Sequence, residues 1–128
     1  MKTFALLVVS LSSAFAGGLP SPLISNVLNA PNPVDTRLAG PAGQTEIFYT
    51  LAGNANVDIV VYDLFGVRVR QWSFTAGGSG GQAGENSVRW DGTNERGDKV
   101  SKGGYLAAIQ VRSEAGTAQT IRKIGVIH

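Results

Sequence analysis

The stretch Glu46-Ile47-Phe48-Tyr49-Thr50-Leu51 carries an apolar side chain at every second position from Ile47 onward. The stretch Val57-Asp58-Ile59-Val60-Val61 repeats this pattern after the connection formed by residues 52–55. Because successive side chains of a β-strand point to opposite faces, each stretch predicts a strand with one continuous apolar face. Strands of this kind bury that face against an opposing sheet, so the pattern favours a two-layered β-protein.

Further strands are predicted on both sides of this pair. The turn signature Asp63-Leu64-Phe65-Gly66 is followed by alternation in residues 67–72, which predicts a hairpin with the preceding strand. Residues 113–116 form a short hairpin connection. The other predicted strands are residues 24–28, 87–90, 105–112 and 120–127. Six or seven short strands, about ten residues apart and without a helical apolar stripe, predict an all-β antiparallel sandwich.

Residues 1–16 have the pattern of a secretory signal peptide. Lys2 supplies the positive charge, residues 4–11 form an apolar run, and Ala14-Phe15-Ala16 is a small-x-small cleavage site. A membrane anchor fits less well, because the run is much shorter than the roughly 20 residues of a span. No cysteine follows the cleavage site for lipid attachment, so we expect a secreted protein that is extracellular, on the cell surface or in the periplasm.

Proline divides the remaining chain into two parts. All five prolines lie within residues 17–43. Because proline lacks the N–H that a sheet requires, we expect an extended arm there, with residues 24–28 as its only strand. Residues 44–128 are expected to form the sandwich.

The composition removes several classes of function. The chain has 128 residues, which is room for one domain, and it contains no cysteine and a single histidine, His128. Zinc sites of the Cys/His type and Ser-His or Cys-His nucleophiles therefore lack their side chains. Without Lys2, the 11 basic side chains fall to 10 against 9 acidic ones. This balance gives no case for nucleic-acid binding.

A polar segment at residues 91–98 contains four side chains whose oxygens suit calcium: Asp91, Asn94, Glu95 and Asp98. Their spacing is not that of an EF-hand loop. The tripeptide Arg96-Gly97-Asp98 also occurs in adhesion sequences, but three residues match often by chance. We therefore expect a solvated polar turn.

The segment of residues 76–84 contains five glycines. A phosphate-binding loop would need a Gly-Lys-Ser/Thr motif and a following helix, and the sequence has neither. The conformational entropy of so many glycines predicts a mobile loop unless something outside the domain orders it.

Aromatic and acidic side chains offer two further candidate sites. An exposed strip for sugar stacking could be formed by Tyr62, Phe65, Trp72 and Phe74, although packing in the core or hairpin is favoured. Three carboxylates lie at strand positions, where a charged outer face explains them better than a glycosidase pair: Glu46, Asp58 and Glu85. The sequence therefore predicts no catalytic, cofactor-binding or metal-binding residue.

Several motifs, taken in order along the chain, resemble one known family. They are Asn32-Pro33; Val61-Tyr62-Asp63-Leu64-Phe65-Gly66 followed by Val69-Arg70; Val88-Arg89-Trp90-Asp91-Gly92 followed by Gly97, Ser101 and Gly103-Gly104-Tyr105; and Arg122-Lys123-Ile124-Gly125-Val126-Ile127. Together they are similar to the FlgD-like immunoglobulin-like domain, found at the carboxyl end of flagellar hook-capping proteins and on many exported bacterial proteins. The last motif is also similar to the related carboxyl-terminal sorting domain of type IX secretion.

The resemblance covers residues 26–127 and implies an immunoglobulin-like sandwich of about seven strands. Trp90 is expected to be an inward anchor on a central strand, and Gly92 to adopt a positive φ in a turn. Asp63 is expected to bind N–H groups of the turn before Gly66. Two segments are longer than their counterparts in the family, residues 34–43 and 76–84.

These observations predict an exported, non-enzymatic structural or protein-interaction module of the bacterial envelope or extracellular space. We expect a protein partner or self-association. We expect no membrane span and no binding of nucleic acid, a small-molecule substrate or a cofactor. One alternative is a sorting or anchoring domain read by a type IX-like secretion system, although only residues 17–26 would precede it as cargo. Another is a self-assembling surface subunit in which residues 17–43 add as a strand to a neighbour's sheet edge.

Overall fold

A computed structural model describes residues 22–128 of the chain, so the signal peptide predicted at residues 1–16 lies outside the described residues. The strands are β1 (Ile24–Ala30), β2 (Thr45–Leu51), β3 (Asn56–Asp63), β4 (Arg68–Phe74), β5 (Gly84–Trp90), β6 (Gly103–Ser113) and β7 (Gly116–Val126), with one 3-10 turn at Gly40–Gly43. Within this part of the chain, no helix is long and apolar enough to cross a membrane.

The strands form two antiparallel sheets. One has the order β1-β2-β5 and the other the order β4-β3-β6-β7. β2 and β3 belong to different sheets, so residues 52–55 carry the chain from one layer to the other. The predicted all-β, immunoglobulin-like sandwich of seven strands is confirmed.

The apolar faces predicted from the sequence meet between the sheets. Ile47 on β2 and Ile59 and Val61 on β3 are fully buried. Trp90 is also fully buried, and its ring meets that of Tyr105 edge to face, with centroids 5.5 Å apart. The period-two alternation therefore identified the core side of β2 and β3.

Trp90 lies on an edge strand, whereas a central strand was expected. The order β1-β2-β5 leaves one side of β5 without a neighbouring strand. The turn that follows β5 covers Trp90 there, because the indole N–H donates to the carbonyl oxygen of Thr93 at 2.8 Å. Arg70 on β4 reaches the Thr93 hydroxyl at 2.9 Å and joins the two sheets at this side.

The described part of the segment expected to be an extended arm, residues 17–43, is built into the sandwich. The strand predicted at residues 24–28 lies within β1, residues 24–30, which pairs with β2. Val34 is fully buried, and its N–H donates to the carbonyl oxygen of Gly125 at 2.8 Å. The Ile127 N–H in turn donates to the Val34 carbonyl oxygen at 3.0 Å. The chain thus leaves the first sheet after β1 and joins the edge of the second beside β7.

The glycine-rich segment of residues 76–84 was expected to be ordered only from outside the domain, and this expectation is wrong. The Ala55 N–H donates to the carbonyl oxygen of Gly81 at 3.0 Å. Asn54 and Asn56 accept hydrogen bonds from the backbone N–H groups of Ala83 and Ala76, each at 2.9 Å. The neighbouring loop therefore supplies the polar partners that the segment needs, without any external molecule.

Candidate functional site

The turn between β3 and β4, residues 63–67, is called the hairpin tip. The Oδ1 atom of Asp63 accepts hydrogen bonds from the N–H groups of Phe65 and Val67, both at 2.9 Å. Gly66 has a φ of +84°, a conformation that side chains other than glycine rarely adopt. These contacts confirm the role expected for Asp63 and fix the backbone of the tip.

The hairpin tip exposes apolar side chains to an unusual degree. Phe65 is 93% exposed, and Leu64 and Val67 are also largely exposed. Leu64 leans over β6, where its Cδ1 atom would lie 3.4 Å from a Cβ atom built at Gly104. The absence of a side chain at Gly104 therefore leaves room for Leu64, and Phe65 projects beyond it.

A groove lies at the other end of the sandwich. It has a volume of about 740 Å³ and is called the end groove. Its apolar lining comes from Leu23, Ala52, Gly53, Ala55, Ala76, Val111 and Ala115, and its polar lining from Asn54, Asn56, Arg112, Ser113 and Glu114. β3 begins at Asn56 beside this groove and ends at Asp63 in the hairpin tip. Its eight residues separate the two features by about 25 Å.

The residues considered for calcium use their oxygens to hold their own turn together. Asp91 accepts hydrogen bonds from the Thr93 N–H and hydroxyl, and Asn94 accepts the N–H groups of Arg96 and Asp98. Glu95 pairs with Arg70 at 3.1 Å. No group of three or more metal-binding side chains is found in residues 22–128. The segment has the geometry of a polar turn linked to β4.

The four aromatic side chains considered for sugar stacking do not lie in one strip. Trp72 and Phe74 pack against the core, and the Arg70 guanidinium stacks on the Trp72 ring at 5.3 Å. Tyr62 lies half-buried on β3, while Phe65 stands alone in the hairpin tip. The arrangement leaves Phe65 as the strongly exposed aromatic ring of the four.

Two of the three strand carboxylates, Asp58 and Glu46, form ion pairs and hydrogen bonds on the outer faces of the sheets, and the third, Glu85, is exposed. Asp58 pairs with Arg112 at 2.6 Å, and this hydrogen bond, with one from Ser73, lowers the pKa of Asp58. A hydrogen bond from Ser87 likewise lowers the pKa of Glu46. Neither group has the raised pKa that a general acid needs near neutral pH.

Sequence reasoning missed both ends of the sandwich as candidate sites. Phe65 was considered only as part of an aromatic strip, because the sequence does not show which turn residues point outward. The end groove is formed by four stretches of chain, at residues 23, 52–56, 76 and 111–115, and its apolar lining is mostly alanine and glycine. Such residues carry no sequence signal for binding.

A family model described as the FlgD Ig-like domain matches residues 35–115. No curated protein matches the chain. Among solved structures, FlgD from P. aeruginosa has a TM-score of 0.56 and 23% identity, covering 82% of this chain and 76% of that one. FlgD from Xanthomonas campestris, described for its role in hook capping, has a TM-score of 0.54 and 22% identity, covering 77% of this chain and 67% of that one.

The dimeric latent PorU from Porphyromonas gingivalis is also similar, with a TM-score of 0.59 and 25% identity. The match covers 79% of this chain but only 9% of PorU. These likenesses agree with the two-sheet fold, and the family match spans residues from β2 to the end of β6. The chain belongs to the FlgD Ig-like domain family.

Proposed function

We propose that this chain is an exported, non-enzymatic module that binds another protein through its hairpin tip. The observation that carries the proposal is the 93% exposure of Phe65 on a turn whose backbone is fixed by Asp63. Because the backbone of the turn is fixed, only the side-chain rotamers of Phe65 remain to be ordered when it binds, which keeps the entropic cost small. Aromatic anchors of this kind supply much of the energy of protein interfaces.

The charged groups support a binding role better than a catalytic one. Asp58, Glu46 and Glu95 lie in ion pairs at the surface, with Arg112, Arg89 and Arg70 respectively. A carboxylate catalyst would need at least one acidic group in a pocket with a raised pKa. Membership of a family that includes hook-capping FlgD also favours a structural or interaction role.

Export is proposed from the sequence and from the similar proteins. Residues 1–16 have the pattern of a signal peptide. PorZ, whose fold is similar, is described as a surface component of the type IX secretion system. We expect the mature chain to act in the envelope or outside the cell. Amino-terminal sequencing of protein recovered from the culture medium and the envelope fraction would test both the cleavage and the location.

The binding role can be tested with one exposed residue and a matched control. Purified protein is immobilised and incubated with envelope extract, using the wild type, Phe65→Ser and Leu38→Ser. Leu38 is 53% exposed on a different loop, so its replacement removes a similar apolar side chain elsewhere. The proposal predicts a protein, identified by mass spectrometry, that is retained by the wild type and Leu38→Ser and lost from Phe65→Ser. Equal retention by all three proteins would contradict it.

A second candidate is a domain that a secretion system reads as a sorting signal. The similarity to PorU at 25% identity, over 79% of this chain, favours it. The test fuses residues 22–128 behind a periplasmic reporter in a bacterium that has type IX secretion. Release of the reporter, abolished when the secretion system is deleted, would support this role, and retention in the periplasm would exclude it.

A further inference from the structure

We infer that the hairpin tip of one copy docks in the end groove of a second copy, so that chains associate head to tail. The inference rests on the proposed binding role of the hairpin tip and names its partner. Residues of the tip form the projection, and residues of the opposite end form the cavity that receives it. The two features belong to one chain, but they cannot meet within it because β3 holds them apart.

The end groove has the chemistry to accept Phe65. Seven of its twelve lining residues are alanine, glycine, leucine or valine, which leave space for a ring and offer it an apolar surface, and the other five are polar or charged. Gly53 lies in the wall, and nothing lies within 4 Å of a Cβ atom built there. The volume of about 740 Å³ also leaves room for Leu64 and Val67 beside the ring.

The charges at the two sites are complementary. Arg68 follows the hairpin tip and bonds the side chain of Gln71, and Glu114 lies in the wall of the end groove. The ion pairs formed among residues 22–128 include neither Arg68 nor Glu114. Docking would bring these opposite charges together at the edge of the contact.

Other charges near the two sites are already engaged. The Arg112 guanidinium, also in the groove wall, is held by Asp58 at 2.6 Å. The Oδ1 atom of Asp63 is used by the N–H groups of the turn. Arg68 and Glu114, which form no ion pair among residues 22–128, supply opposite charges to the contact. A tip-to-tip dimer would instead place two copies of Arg68 close together.

Contact between different surfaces at opposite ends leaves each complex with one free tip and one free groove. Such a heterologous contact continues to add copies unless the ring closes. The contact is small, so we expect weak association that becomes measurable only at protein concentrations up to about 1 mM. Sedimentation velocity over a concentration series should show wild-type protein whose average mass rises without reaching a dimer plateau.

Three variants locate the contact. Phe65→Asp removes the anchor, and Gly53→Lys fills the groove and repels Arg68. Leu38→Asp is the control, because it changes an exposed leucine outside both sites. We expect the first two to weaken association at least about tenfold and the control to match the wild type. Circular dichroism and thermal unfolding should show that all three keep the fold, since none replaces a buried side chain.

Mixing the variants provides the decisive measurement. Phe65→Asp keeps an intact groove, and Gly53→Lys keeps an intact tip. Each alone should be monomeric, whereas an equal mixture should form a dimer that does not grow further. A mixture that stays monomeric while the wild type associates would overturn the head-to-tail arrangement.

The outcome also separates this inference from the proposed function. A wild-type protein that stays monomeric at every concentration would overturn self-association. If Phe65→Ser nevertheless loses a protein from the envelope extract, the binding role of the hairpin tip stands with a foreign partner. Association that persists unchanged in Phe65→Asp would overturn the inference as well and assign the contact to another surface.

Discussion

The Tyr49 hydroxyl donates a hydrogen bond of 2.6 Å to the carbonyl oxygen of Gly80. This bond joins β2 to the glycine-rich segment of residues 76–84 inside the sandwich, and both residues are buried. A buried carbonyl oxygen that loses its partner keeps the full cost of its removal from water. The bond is therefore one reason that so glycine-rich a segment adopts a single conformation.

Replacing Tyr49 with phenylalanine should test that bond directly. The ring remains, but the carbonyl oxygen of Gly80 loses its donor, so the free energy of unfolding should fall by about 1–3 kcal/mol. Urea unfolding followed by tryptophan fluorescence measures the loss. Tyr62→Phe serves as the control, because Tyr62 is only half-buried on β3 and should change stability by less than about 0.5 kcal/mol. Equal effects of the two changes would show that the bond contributes nothing particular.

The same hydroxyl predicts a loss of stability in alkaline solution. Burial raises the pKa of Tyr49 to about 12, whereas a tyrosine in the unfolded chain ionises near pH 10. Below pH 10 both states hold the proton. Between about pH 10 and pH 12 only the unfolded state releases it, so the free energy of unfolding falls as pH rises.

Unfolding midpoints in urea at a series of pH values check this dependence. Tyr49→Phe should lose less stability than the wild type over the interval, since it lacks the ionising group. Burial also raises the pKa of Tyr105, so part of the alkaline loss should remain in the variant. Identical curves for both proteins would count against the assignment to Tyr49.

Glycine is required at position 80 and not at position 53. A Cβ atom at Gly80 would clash with ring atoms of Phe74, and the φ of +87° strains residues other than glycine. Gly80→Ala should therefore lower the free energy of unfolding by about 1–3 kcal/mol. Gly53→Ala meets open space and should be neutral or slightly stabilising. Thermal unfolding of both variants compares their stabilities with that of the wild type. A Gly80→Ala variant as stable as the wild type would mean that the segment can move away from Phe74.

Asp63 should control how firmly Phe65 is presented. Asp63→Ala removes the acceptor of two turn N–H groups and should lower the free energy of unfolding by about 1–2 kcal/mol. Asp63→Asn keeps an acceptor oxygen and should recover most of the loss. Hydrogen exchange at the Phe65 and Val67 amides measures directly how well the turn is protected. Protection that is unchanged in Asp63→Ala would show that the strands alone hold the hairpin tip.

The strands with strict alternation could be predicted from the sequence, and the strands with weak alternation were predicted only in part. β3 includes the predicted segment at residues 57–61, and β4 includes all but the first residue of the segment predicted at residues 67–72. β5 begins at Gly84, three residues before the predicted start. The prediction began later because Gly84-Glu85-Asn86 carries no apolar side chain. β7 begins at Gly116, four residues before the predicted start at residue 120. The prediction missed these first residues because they are small or polar.

The errors arose where tertiary contacts outweigh local pattern. Strand β1 has an irregular register between Ser25 and Leu28, and Asn26 there has a φ of 52°. An irregularity of this kind shifts the alternation by one residue, and the strand predicted at residues 24–28 ends two residues before β1 does. The order of residues 76–84 depends on Asn54 and Asn56, which belong to another loop. No local sequence rule could have paired these partners.

The junction between Val34 and β7 determines how the chain would respond to mechanical force. Val34 and Val126 form a parallel β-bridge, and the Gly125 N–H donates a hydrogen bond of 2.8 Å to the Asn32 side-chain oxygen. A pull applied between residue 31, after β1, and His128 would slide these parallel segments in opposite directions and strain their hydrogen bonds together rather than one after another. Single-molecule stretching should therefore show one unfolding peak, reduced in height by Asn32→Ala. A module subjected to tension in an assembly would resist it at this junction.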